Sequence, residues 1–137
     1  MAFWLVKSEP DAFGWDQQVA NGTEPWTGVR NYMARNNLRA MRIGDRAFFY
    51  HSNIGREVVG VVEVVREAYP DPTASEGDWV CVDLRALAKL PRPVALTAMK
   101  ADPALEGLAL IRQSRLSVMP VSAGHWHHIC ALGGWGG

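Results

Sequence analysis

The sequence predicts an α+β domain, built on a curved, mostly antiparallel β-barrel flanked by short helices. Three observations lead there. Strand-like runs (3–7, 46–52, 57–65, 79–87) are scattered among helical stretches (15–20, 30–41, 123–132) with no regular strand-helix alternation. Asn53 to Gly55 forms a turn between two runs rich in aromatic and β-branched residues, which reads as a hairpin. The 137-residue length suits one domain, and 48% hydrophobic with 20% charged residues is the balance of an ordinary globular chain.

The elements follow in order. Phe3 to Lys7 is apolar nearly throughout and predicts a central strand, ended by Pro10. A short helix over 15–20 closes at Asn21-Gly22, a helix-stop and turn pair. A loop carrying Pro25, Trp26 and Gly28 leads into a helix over 30–41. Tyr32, Leu38 and Met41 mark its buried side and Gly44 its stop. After the hairpin, residues 70–77 are a polar loop, and Trp79 to Leu87 is a strand that Pro91-Arg92-Pro93 interrupts. A short helix over 97–101, strand-like segments at 108–111 and 115–119, and a helix over 123–132 with Ser122 as N-cap complete residues 1–132 as one domain. The glycine-rich residues 133–137 are expected to fray.

Composition excludes several classes. Cys81 and Cys130 are too few for a disulfide framework or a thiolate zinc site, and buried thiols are expected. No apolar run reaches bilayer length, and the first strand begins without a basic leader or cleavage site, so a cytosolic, non-membrane protein is expected, as a monomer. No phosphate-binding glycine loop, dinucleotide fingerprint or nucleophile elbow occurs, so neither cofactor nor catalysis is expected. His125, His127, His128 and Cys130 fall as two pairs on different helix faces, and no metal site is expected from them.

Charge is distributed unevenly. The formal net charge is +0, yet Arg30, Arg35, Arg39, Arg42 and Arg46 face the single acid Asp45 between Val29 and Arg46. Arg35, Arg39 and Arg42 lie four and three residues apart, so a helix stacks them along one side. Guanidinium forks suit bidentate binding of phosphate, and a local basic face on a neutral body suits a specific anionic ligand. The region from Trp26 to Arg42, with Phe48 to Asn53 after it, therefore points to a nucleotide or nucleic acid.

Two sets of site residues follow. In the first, Trp26 stacks on a base, a contact worth about 1 to 3 kcal/mol. Asn31 and Tyr32 stand at the helix entry, where phosphate is attracted and base edges can be bonded. On the hairpin strand, alternation separates Tyr50 and Ser52, expected to face the pocket, from His51, expected at its rim. Lys7 and Ser8 end the first strand and join this set. The second set comprises Arg30, Arg35, Arg39 and Arg42 on the phosphate backbone. Each assignment has a structural alternative: Trp26 as a core plug, Asn31 as a cap, Tyr32 in the buried stripe and the arginines as a solvated face; Trp4 and Trp79, on strands, are expected in the core.

The motifs K-S-E-P-D (7–11), W-T-G-V-R-N-Y-M-A-R-N-N-L-R (26–39), F-F-Y-H-S-N (48–53), G-V-V-E-V-V (60–65), A-Y-P-D (68–71) and S-R-L-S-V-M-P-V (114–121) occur in order along nearly the whole chain. Together they resemble the EVE domain family, with a fainter likeness to the YTH domain. The resemblance implies a PUA-like fold and a non-catalytic reader of modified bases in DNA or RNA. It adds Arg115 to the phosphate set. The segment after Pro10 is short by comparison. The competing functions are a peptide-interaction module and, less favoured, a small hydrolase.

Overall fold

A computed structural model describes residues 1–136. Its core is a six-stranded sheet in the order β2-β5-β4-β3-β1-β6. The strands are β1 (Phe3–Ser8), β2 (Thr23–Pro25), β3 (Arg46–His51), β4 (Glu57–Pro70), β5 (Val80–Ala95) and β6 (Val118–Val121). Every pairing is antiparallel except β1 with β3. This is the mostly antiparallel α+β arrangement expected, but the hydrogen-bonded ladder does not close: β2 and β6 are its edges. The helices are α1 (Pro10–Phe13), α2 (Trp15–Asn21), α3 (Tyr32–Ala40), α4 (Leu96–Lys100), α5 (Ala109–Arg112) and α6 (Ala123–Leu132), with a 3-10 turn at Pro103–Leu105.

Alternation along β3 divides the core into two faces. Phe48 stacks on Trp126 of α6 at 3.9 Å between centroids, and Phe3 stacks on the same indole at 4.5 Å. Phe49 points the other way, edge-on to Trp15 (5.3 Å) and Trp26 (5.7 Å). The Trp15 ring lies directly on the β4 backbone at Gly60, where a Cβ would come within 2.5 Å of it. Only glycine permits that approach. Gln18 joins α2 to the sheet through its side-chain amide, which donates to the carbonyls of Gly22 and Leu84.

Several expectations need correction. β5 runs through the prolines rather than stopping at them. Between the pairs Gly60↔Lys89 and Val58↔Val94 the register skips, so Pro91 and Pro93 sit in a bulge that asks no ladder N–H of them. Residues expected as a strand at 108–111 form α5, and the late strand begins at Val118 rather than Arg115. Residues 133–135 lie against the domain: the Gly133 carbonyl accepts from the Arg92 N–H, and Trp135 packs against the core with Arg46 over its ring. Gly137 lies outside the described residues.

In α3 the buried residues are Ala34 and Leu38, with Met41 buried at the C-cap, while Tyr32 is 66% exposed. Tyr32 lies well round the helix from Leu38, and small Ala34 takes the inward position. Among the described residues, no helix is long and apolar enough to cross a membrane.

Candidate nucleic-acid interface

Three chain segments enclose a cleft of about 460 Å³. The end of β1 supplies Lys7 and Ser8, α1 supplies Ala12 and Phe13, and the connection from β2 to α3 contributes its length from Glu24 to Arg30. Ser117 closes the remaining side. The volume falls within the range of about 300 to 1,000 Å³ typical of small-ligand pockets.

The wall is aromatic. Trp26 is only 8% exposed, held edge-on between Phe13 (6.1 Å) and Phe49 (5.7 Å), and its backbone N–H donates to the Val82 carbonyl. It is thus a structural plug, as the alternative reading had it, that also lines the cleft. The Ser8 hydroxyl donates to the Phe13 carbonyl at 2.6 Å and fixes α1 over the cleft while its oxygen can still accept. Lys7 donates to the Ser114 carbonyl at 2.8 Å, and burial lowers its pKa. The hydroxyls of Thr27 and Ser117 make no hydrogen bond among the described residues.

One buried carboxylate shapes the loop. Asp71 accepts from the Gly28 N–H (2.8 Å), the Thr73 N–H (2.8 Å), the Thr73 hydroxyl (2.7 Å) and Arg30 (3.0 Å), with its side chain fully buried. Burial alone would raise its pKa. The hydrogen bonds from Thr73, Gly28 and Arg30 outweigh it and hold the carboxyl at about 2. Gly28 has φ +83°, a left-handed conformation that turns its N–H toward Asp71. Arg30 also reaches the Thr73 hydroxyl at 3.1 Å.

The structure brings together Lys7, Ser8, Trp26 and Arg30. It does not place the other expected pocket residues there. Tyr50 is 3% exposed on the face shared with Phe48, and burial pushes its hydroxyl pKa up. Ser52 donates its backbone N–H to the Ser8 carbonyl and stays off the cleft. His51 shares the face of Phe49, and its Nε2 accepts from the Trp15 N–H at 3.1 Å. Burial lowers the His51 pKa against the opposing pull of Glu57 and Asp16, consistent with a neutral acceptor. Asn31 is the α3 N-cap, accepting from the Ala34 N–H at 2.9 Å. Its residue lines a separate hollow of about 300 Å³ with Arg115.

The arginine row does not stand free. Arg35 and Arg39 both bind Asp78, at 2.7 and 3.1 Å, and the Asp78 side chain is 69% exposed. Arg42 donates to the carbonyls of Arg39 and Met41, closing the end of α3. Trp79, expected in the core, precedes β5 instead and stacks on Tyr32 at 5.0 Å with 23° between planes. Asp71, Thr27, Gly28 and Ser117 were not singled out from the sequence. Asp71-Pro72-Thr73 is a local signal that could have flagged the first, because Asp bonds its own backbone two residues on.

The histidines of α6 serve separate contacts. His128 pairs with Asp102 at 2.6 Å, and His127 meets the Phe3 ring edge-on. Cys130 is buried, which pushes its thiol up to about 11.

Comparison with known proteins agrees with this architecture. The family model described as EVE domain matches residues 2–132. A solved protein from Agrobacterium tumefaciens superimposes with TM-score 0.96 at 51% identity, covering 98% of this chain and 94% of that one. The human THYN1 protein, solved in complex with 5-methylcytosine-containing DNA, superimposes with TM-score 0.88 at 31% identity, over 97% of this chain and 98% of that one. A YTH domain from Zygosaccharomyces rouxii, solved with N6-methyladenosine RNA, shares the fold alone, at TM-score 0.62 and 17% identity over 96% of this chain and 86% of that one.

Proposed function

The chain belongs to the EVE domain family, and from that premise we propose that it is a non-catalytic nucleic-acid-binding module that takes a modified base into the cleft. The observation that carries this reading is the cleft itself. An aromatic wall at Trp26 shares the cleft with two cations, Lys7 and Arg30, and with unpaired hydroxyls at Thr27 and Ser117. A base flipped from its stack, or one in a single strand, needs a ring-sized apolar wall and a few polar groups for its edge. The human relative's complex with 5-methylcytosine DNA supports that ligand class and makes this base the first probe.

Arg35 and Arg39 contact the phosphate backbone by exchanging Asp78 for a phosphate. Asp78 is exposed and already spans both guanidiniums as an oxyanion would. His51 acts as a positioning group for α2 and not as a base, since its available nitrogen is occupied by the Trp15 N–H.

The test is binding of labelled DNA with one 5-methylcytosine, or cytosine at the same place, to the protein and to Ala12→Trp. Ala12 is exposed at the cleft, so the larger side chain blocks the opening without disturbing the core. The expected result is a preference of about tenfold for the methylated base, in line with what one added carbon contributes in an apolar pocket. Blocking the cleft removes that preference. Equal binding of both DNAs by both proteins contradicts the proposal for this base.

A further inference from the structure

A second aromatic surface lies beside the cleft, and none of its rings lines it. Tyr32, at the first turn of α3, stacks on Trp79, which comes from the loop before β5. The pair is held from the side by arginines: Arg35 lies 5.0 Å from the Tyr32 ring and 5.8 Å from Trp79, and Arg30 lies 5.7 Å from Trp79. The three distances among Tyr32, Trp79 and Arg35 (5.0, 5.0 and 5.8 Å) form a nearly equilateral triangle. Arg35 therefore lies toward the Trp79 side of Tyr32 and not diametrically opposite it. With Trp79 stacked on it and the residue 66% exposed, Tyr32 still offers much of its ring to solvent.

Solvent-facing tyrosine needs no such construction. Here, Arg35 and the Trp79 stack hold the ring, so little rotamer freedom remains to be lost when a planar group settles on it. The surroundings select that group. Arg35 and Arg39 bind the exposed Asp78 and Arg30 lies over Trp79, giving a cationic rim around an aromatic face. Aromatic platforms with arginine beside them suit nucleobases joined by phosphate. Arg30 connects the two places, because it lines the cleft and also lies over Trp79.

We propose that the outer face of Tyr32, backed by Trp79, stacks on the base of the nucleotide adjoining the one held in the cleft, so that the protein reads one base and clamps its neighbour. This rests on the cleft reading above. It assigns Tyr32 a role outside the base pocket and explains why the ring is fixed yet exposed.

The experiment measures affinity for short DNA carrying one 5-methylcytosine, and for two versions in which the nucleotide on one side or the other lacks its base. Tyr32→Ala is expected to weaken binding of intact DNA about tenfold, the usual effect of losing one base-aromatic stack. Tyr32→Phe restores it. One of the two abasic probes weakens binding of the unmodified protein by a similar factor, and Tyr32→Ala then causes no further loss on that probe. The preference for methylated over unmethylated DNA persists in Tyr32→Ala.

The platform is overturned if Tyr32→Ala binds intact DNA as tightly as the unmodified protein. It is equally overturned if the Tyr32 effect keeps its full size on both abasic probes, or if there is no binding to measure. Failure of the cleft reading looks different: Ala12→Trp then leaves the affinity and preference unaltered. If Ala12→Trp abolishes the preference while Tyr32→Ala has no effect, the cleft stands and the platform falls.

Discussion

Arg30 and Arg35 are five positions apart, and each holds an aspartate some forty residues away, yet the two pairings do opposite work. The Asp71 side chain is fully buried and accepts four hydrogen bonds from Arg30, Gly28 and Thr73. Removing a partner there strands a charge out of water. The Asp78 side chain is 69% exposed, so water and salt compete for Arg35 and Arg39. The first pairing is architecture that sets the cleft loop. The second is a replaceable counter-ion, and that difference separates a wall from a contact surface.

The comparison can be broken most sharply at the buried end. Asp71→Ala leaves the Gly28 and Thr73 N–H groups without their acceptor and is expected to cost about 3 kcal/mol of stability, measured by denaturant unfolding. Trp26→Ala is expected to cost about as much, roughly 3 to 5 kcal/mol, because it empties a packed ring site against Phe49 and Phe13. Its loss of binding is therefore read together with its stability, whereas Ala12→Trp tests the cleft cleanly.

The same carboxylate gives a pH dependence. Its folded pKa of about 2 lies below the ordinary 3.8, so its contribution is full above about pH 4 and disappears as pH falls through 2. That contribution is up to about 2 kcal/mol. Melting curves between neutral pH and pH 2 are expected to steepen in this window for the unmodified protein and to flatten for Asp71→Asn. A retained slope in Asp71→Asn assigns the acid sensitivity to other groups.

The smallest effect on stability belongs to Asp78. Asp78→Ala is expected to leave the melting temperature unchanged while tightening DNA binding at low salt, since a carboxylate that competes with phosphate is gone. Arg39→Ala is expected to flatten the dependence of log affinity on log salt by about 0.7 to 0.9, as for one lost phosphate contact. If Asp78→Ala destabilises the fold as Asp71→Ala does, the two pairings are not different in kind.

Much of the scaffold was legible because periodicity reports it directly. The hairpin, the central position of β1, Ser122 as the α6 cap and most of α3 all follow from alternation or helical spacing. Alternation also separated Phe48 and Tyr50 from Phe49 and His51, but it cannot say which set meets which helix. That depended on Trp126 taking one face and Trp15 with Trp26 the other. Tyr32 was misplaced because it is apolar enough for a core, and Ala34 is too small to draw notice. Arg35 and Arg39 share one side of α3 as their spacing predicts, but the partners of Arg30, Arg35 and Arg39, Asp71 and Asp78, arrive from a loop about forty residues on. Trp79 shows the same blindness, since its stacking partner is on a different element.

The central claim is that the cleft between Trp26, Ser8 and Ser117 receives the base. The most direct measurement is an NMR titration with DNA carrying one 5-methylcytosine, following backbone amides and the tryptophan indole N–H groups. The expected result is saturable shifts at Ser8, Thr27, Gly28, Ser117 and the Trp26 indole, with smaller shifts at the same groups when the base is cytosine. Shifts confined to the hollow beside Arg115, or identical for the two DNAs, would contradict it.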